Sequence, residues 1–131
     1  MLYSIGLLYH ILEEAEGSPV YRTGAYNVSS FMDSDTKTYD EESYKMEFCT
    51  VSLHVKLLEE YGLLSVKHIK VPDYPCYEYD IEEDSITEDG SKVLYALSRG
   101  LLNTEIEKYN VRPEAISKGV FSNLIDDILN R

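Results

Sequence analysis

The stretch SLHVKLLEEYGLLSVKHIKVPDYPCYEYDIEEDSITEDG, Ser52–Gly90, carries a helix, a two-stranded ribbon and the start of another helix, in that order. From Thr50 to Tyr61 the apolar residues recur at helical spacing, with Thr50 or Ser52 as the expected N-cap and Gly62 placed to end the helix in a left-handed conformation. Val51, Val55 and Leu58 form one apolar row, and Leu53, Leu57 and Tyr61 a second. Apolar on two sides, the helix has more to bury than one neighbour requires. LLSVKHIKV then has the β-branched content of a strand, PDYP supplies a turn, and CYEYDI alternates as a returning strand with Tyr77, Tyr79 and Ile81 on one face. ITEDGSKVLYALSRGLL reads as a further helix capped by Thr87, with Glu88 and Asp89 at its positive end.

Outward from this stretch the signals are simpler. Leu2, Ile5, Leu8, Tyr9 and Leu12 mark an amphipathic helix that ends before Gly17. Residues 20–32 form a second short helix in this reading, with Tyr21, Ala25, Val28 and Met32 inward. DSDTKTYDEES is an acidic surface loop, and YKMEF alternates as a short strand. At the other end, Pro113 opens a long helix carrying the stripe Ile116, Val120, Leu124 and Ile128.

The run VSLHVKLLEEYGLL, then a hairpin, then ITEDGSKVLYAL, resembles the winged helix-turn-helix proteins of archaeal and bacterial transcription regulation. The resemblance covers about residues 50–97 and rests on Leu58–Leu64, on the two-strand wing and on Ile86–Gly90. It implies an α+β fold, a winged helix-turn-helix with an additional C-terminal helix. Residues 1–100 would be the winged-helix domain, with 33–44 an acidic surface loop, and 101–131 a C-terminal helical extension. The Ile116, Val120, Leu124 and Ile128 stripe would pair that extension with a second copy as a homodimer. In the family the helix lies in the major groove and the wing touches the backbone or minor groove. Carried onto this chain, that gives Ser52, His54 and Lys56 on the helix and Lys67 and Lys70 on the wing as contacts to double-stranded DNA.

The side chains pull against this reading. The outward positions would be Ser52, Leu53, His54, Lys56, Leu57 and Glu60, without an arginine and with two leucines, where base edges are ordinarily read by hydrogen-bonding or cationic groups. The chain has 24 acids against 12 bases, a net charge of −12. Residues 45–72 are the exception, four lysines against three glutamates, with His54 and His68 in addition. An alternative is therefore an acidic winged-helix protein-interaction module without DNA binding, with Leu53, Leu57 and Tyr61 as the contact row.

Chemistry of other kinds finds little purchase. Phosphate loops, nucleophile elbows and zinc-protease motifs are absent from the sequence, so an enzyme is not expected, nor is a cofactor. His10, His54 and His68 have no ligand spacing, and Asp80, Glu82, Glu83 and Asp84 lack the pattern of a calcium loop, so no metal is expected. Cys49 and Cys76 belong to no CxxC pair, which argues against a zinc site and a disulfide framework and for a reducing, cytoplasmic setting. No run approaches the roughly 18 apolar residues of a membrane span, so no membrane partner is expected.

Overall fold

The computed structural model describes residues 1–17, 27–32, 40–82, 85–98 and 115–130. Among them lie four α-helices, one 3-10 turn and two small antiparallel sheets, a mixed α+β arrangement. The elements are β1 (Tyr3–Ser4), α1 (Ile5–Glu16), the 3-10 turn Val28–Phe31, α2 (Glu41–Glu60), β2 (Lys67–Lys70), β3 (Tyr77–Asp80), α3 (Glu88–Ser98), β4 (Ala115–Ile116) and α4 (Lys118–Leu129).

Helix α1 begins where the Ser4 hydroxyl accepts the Leu7 N–H, and it stops at Gly17, whose φ of 79° is open to glycine. Its buried residues are Ile5, Leu8, Ile11, Leu12 and Ala15. Leu2 precedes the helix and is 64 % exposed, contrary to its place in the expected stripe. The second short helix is represented by the single 3-10 turn, capped by Asn27, with Val28 and Met32 buried as expected. Tyr21 and Ala25 lie outside the described residues, as do 33–39 of the acidic loop.

Helix α2 corrects two expectations. YKMEF is helical, because Asp40 caps the chain by accepting the Ser43 N–H, and Glu41 and Glu42 complement the helix dipole. Tyr44, Phe48, Val51, Val55 and Leu58 then continue one row at spacings of four and three. Thr50 and Ser52 accordingly sit inside a 20-residue helix instead of capping it, and the Thr50 hydroxyl donates back to the Met46 carbonyl at 2.9 Å.

The C-terminus of α2 is a Schellman motif. Gly62, at φ 72°, donates to the Glu59 carbonyl at 3.0 Å, and Leu63 donates to Leu58 at 2.9 Å. Leu58 and Leu63 are both fully buried, which supplies the apolar contact that accompanies the motif. The start of α3 is built on this turn. Thr87 N–H donates to the Leu63 carbonyl, Thr87 Oγ1 donates to the Gly62 carbonyl at 2.6 Å, and Thr87 Oγ1 accepts the Gly90 N–H at 3.0 Å. Gly90 is required by this approach, since a Cβ there would lie 2.1 Å from the Leu63 oxygen.

The ribbon pairs Lys67 with Asp80, His68 with Tyr79, Ile69 with Glu78 and Lys70 with Tyr77. Its turn has Pro72 followed by Asp73 at φ 68°, closed by the Tyr74 N–H on the Val71 carbonyl, the pattern of a type II turn. At the base, Leu64 bridges Ile86 and Ser65 donates to Ser85. Tyr79 and Ile81 are buried as expected, while Tyr77 is 44 % exposed.

The C-terminal segment belongs to the same core. Strand β4 pairs with β1, Tyr3 against Ile116 and Ser4 against Ala115, and α4 packs on α3. Ile116, Leu124 and Ile128 are buried and Val120 is half-buried within the one chain. The stripe expected to seek a second copy is thus covered by the protein itself. Ser117 caps α4 by accepting the Val120 N–H, so the helix starts at Lys118; Pro113 lies outside the described residues. No helix among the described residues is long and apolar enough to cross a membrane.

Candidate nucleic-acid interface

The ribbon does not project away from α2 but lies along it. Tyr74 stands edge-on to Phe48 with ring centroids 5.0 Å apart, the Lys45 ammonium sits 5.3 Å over the Tyr74 ring, and the Ser52 hydroxyl donates to the Tyr77 carbonyl at 2.6 Å. Between these contacts Cys49 and Cys76 form a disulfide, with Cα atoms 5.6 Å apart. This overturns the expectation of two unpaired cysteines, and the reading of a reducing setting loses that support. The pairing depends on the full length of α2: as a helical residue, Cys49 lies on the face of Phe48 and Ser52, where the returning strand passes, whereas a strand over YKMEF would hold it off the helix.

Three positions expected to face outward are interior. Ser52 is committed to the ribbon and 2 % exposed. His54 is 1 % exposed: its Nε2 accepts the Ser4 N–H at 2.8 Å, and its Nδ1 donates to the Thr50 carbonyl at 2.7 Å. That pair of contacts requires the neutral ring protonated on Nδ1. Burial lowers the His54 pKa, and the hydrogen bond to Thr50 opposes the shift without cancelling it. Leu57 is 2 % exposed, and Tyr61 packs edge-on against Phe121 at 5.5 Å. Of the expected apolar contact row, Leu57 is buried, while Leu53 and Tyr61 are half-buried. Strand β3 covers Ser52 and the β1 segment covers His54, closing faces of α2 that a helix with one neighbour would leave free.

What remains exposed is the strip Met46, Thr50, Lys56 and Glu60 on α2, with Leu53 half-buried among them, and the whole of β2. Lysines are distributed unevenly in their pairing. Lys45, Lys56, Lys92 and Lys118 each stand within 4.0 Å of a glutamate. Glu60 serves two of them, at 2.8 Å from Lys118 and 4.0 Å from Lys56, and its hydrogen bond raises the Lys118 pKa. Among the described residues Lys67 and Lys70 have no such carboxylate. Asp80 stands opposite Lys67 in the ribbon register without an ion pair within 4.0 Å, and Glu78, opposite Ile69, is turned to the backbone: it accepts the N–H of Val28 and, at 3.0 Å, that of Tyr79. His68 lies between the two lysines, edge-on to Tyr77 with centroids 4.8 Å apart.

No family model, curated protein or solved structure matches the chain. The geometry therefore carries the functional argument alone.

Two further clusters lie on α1, remote in sequence from the ribbon. His10, Glu13 and Glu14 bring one ligand atom each to within 4.8 Å of one another on a solvent-facing side of the helix. A groove of about 370 Å³ runs between α1 and α3, lined by Tyr9, Glu13, Glu16, Ser91, Leu94 and Tyr95. There desolvation, then the Glu13 charge, raises the Tyr9 pKa. Both features are acidic and open to solvent.

Proposed function

We propose that the chain is a winged-helix DNA-binding protein, a transcriptional regulator, that holds double-stranded DNA by phosphate contacts from Lys67 and Lys70 on the ribbon and Lys56 at the edge of α2. The observation that carries the reading is the pair of exposed lysines on β2 with no described carboxylate within 4.0 Å, on a surface where the other described lysines each have one. An ammonium free of an ion pair gives up none when it meets a phosphate, and each contact releases a counterion. The order of α2, glycine turn, ribbon and α3 supports the winged-helix assignment, as does the Thr87 and Gly90 docking on the Gly62 turn.

In this reading base recognition through Ser52 and His54 is given up, because both side chains are consumed inside the fold. Binding then rests on the backbone of the duplex, with Tyr77 opposite Lys70 and the Asp80 carboxylate opposite Lys67 in the ribbon register. The net charge of −12 opposes association at long range, so the contact is confined to low salt or to a duplex already close by. The protein-module alternative keeps Leu53 and Tyr61, half-buried, from its contact row and gives up Leu57, which is buried.

Fluorescence anisotropy with a labelled duplex at about 50 mM salt tests the proposal. Wild-type protein is expected to bind, and the double substitution Lys67→Glu/Lys70→Glu to lower both affinity and the slope of log K against log salt, the slope by roughly two. Absence of binding to any duplex at that salt overturns it, and so does an unchanged slope in the double variant.

A further inference from the structure

We infer that the Cys49–Cys76 pair is a thiol–disulfide latch that sets whether the tip of the ribbon is held on α2, and through it the arrangement of the proposed DNA contacts. The bond closes a covalent ring over a sequence separation of 27. Inside that ring lie Lys56, Lys67 and Lys70, the three cations of the proposed contact, together with the Gly62 turn and the Pro72–Pro75 tip. Oxidation therefore ties the ribbon tip to α2 and limits how far the ribbon lysines can move from the helix lysine.

The ribbon is anchored unequally at its two ends. Its base is held without the disulfide, by the Leu64–Ile86 bridge, the Ser65–Ser85 hydrogen bond and the burial of Tyr79 and Ile81. At the tip, the contacts on α2 are the disulfide, the Phe48–Tyr74 edge contact, Lys45 over Tyr74 and the Ser52–Tyr77 hydrogen bond. All four residues of β2 are exposed, and an isolated two-stranded ribbon has little stability of its own in water. Cleaving the bond leaves the tip on a few weak contacts while the core stays packed. Both cysteines are half-buried at the surface, so a small reductant can reach them.

The exchange needs a dithiol. One thiolate of the reductant attacks a sulfur of the pair, forming a mixed disulfide and releasing the other cysteine as a thiolate. The second thiol of the reductant, as its thiolate, then displaces the bound cysteine, closing the reductant's own disulfide. Two electrons pass from reductant to protein, and the two released thiolates take up protons to become the Cys49 and Cys76 thiols.

The regulatory half of this inference rests on the DNA-binding reading; the latch itself does not. Hydrogen exchange of the full chain, oxidised and after treatment with dithiothreitol, reads the latch directly. Amides of β2 and β3 are expected to exchange faster after reduction while those of α1 are unchanged, and the Cys49→Ser/Cys76→Ser variant is expected to match the reduced protein with or without dithiothreitol. Equal ribbon protection in the oxidised and reduced forms overturns the latch. Duplex titrations on the same samples are expected to show binding weakened about fivefold on reduction, as when only a fraction of molecules holds the competent arrangement. Equal affinity in both forms overturns the regulatory role while leaving the latch. Loss of binding in both forms instead overturns the DNA reading, with the exchange comparison still deciding the latch.

Discussion

His54 is a titratable ring used as a structural part. Its Nε2 takes the Ser4 N–H, so a second proton would set two donors against each other and leave the charged ring buried beside Tyr3. Because the folded pKa is lowered, the neutral ring contributes stability that is fully present above its unfolded value of about 6.5. That contribution is lost as pH falls through this value towards the lower folded one. Urea midpoints measured from pH 7.5 to 5 are expected to decline more steeply for the wild type than for His54→Gln, and parallel curves would count against the assignment. Gly90 makes a second demand at this scale. Gly90→Ala drives a methyl into the Leu63 carbonyl, for an expected loss of about 1–3 kcal/mol read as a lowered Tm. The glycine was legible in the sequence as part of a motif, whereas its reason, a backbone oxygen arriving from the previous turn, was not.

At the level of elements, what could be read from spacing was the existence of α1, α2, the ribbon, α3 and α4. What misled was a short alternating run. Tyr44, Met46 and Phe48 alternate as a strand does, yet Asp40, Glu41 and Glu42 before them form an N-cap and an acidic first turn, and Phe48 is the one buried residue of the three. Helix length in turn decided the site: a helix starting at Glu41 presents Cys49 to the ribbon and consumes Ser52. Pairwise contacts of this kind, across 27 residues, leave no periodic trace. Closing a loop of that size constrains the unfolded chain by about 3.5 kcal/mol on the chain-entropy account. The Cys49→Ser/Cys76→Ser variant is expected to unfold at a correspondingly lower denaturant midpoint with an otherwise cooperative transition. An unshifted midpoint would show that the bond constrains little.

For the molecule as a whole, the C-terminal helix is the largest departure from the pattern implied by resemblance. An amphipathic stripe in a sequence says that something covers it, and is silent on whether the cover is a second copy or the same chain. Here β1, α3 and the Tyr61 ring meet this segment, so Ile116, Phe121, Leu124, Ile125 and Ile128 join the common core. Burying each is worth roughly 1.5–3 kcal/mol, and the sum is comparable with the about 5–15 kcal/mol by which a domain is stable. Deleting residues 115–131 is therefore expected to abolish cooperative unfolding, and a truncated chain with a wild-type thermal transition would refute this. Leu124→Ala, a milder probe, is expected to cost about 2–5 kcal/mol.

The covalent ring also changes what it means to break this chain. Pro72, Asp73 and Pro75 are exposed at the tip, and Asp73 already holds a left-handed backbone. A peptide bond hydrolysed there would create two new ends inside a closed loop, and Cys49–Cys76 would keep both fragments on one molecule. Such a nicked protein would migrate as a single species until reduced. The tip is thus a place where the polypeptide can be opened, or a foreign segment spliced in, without parting α2 from the strand that follows.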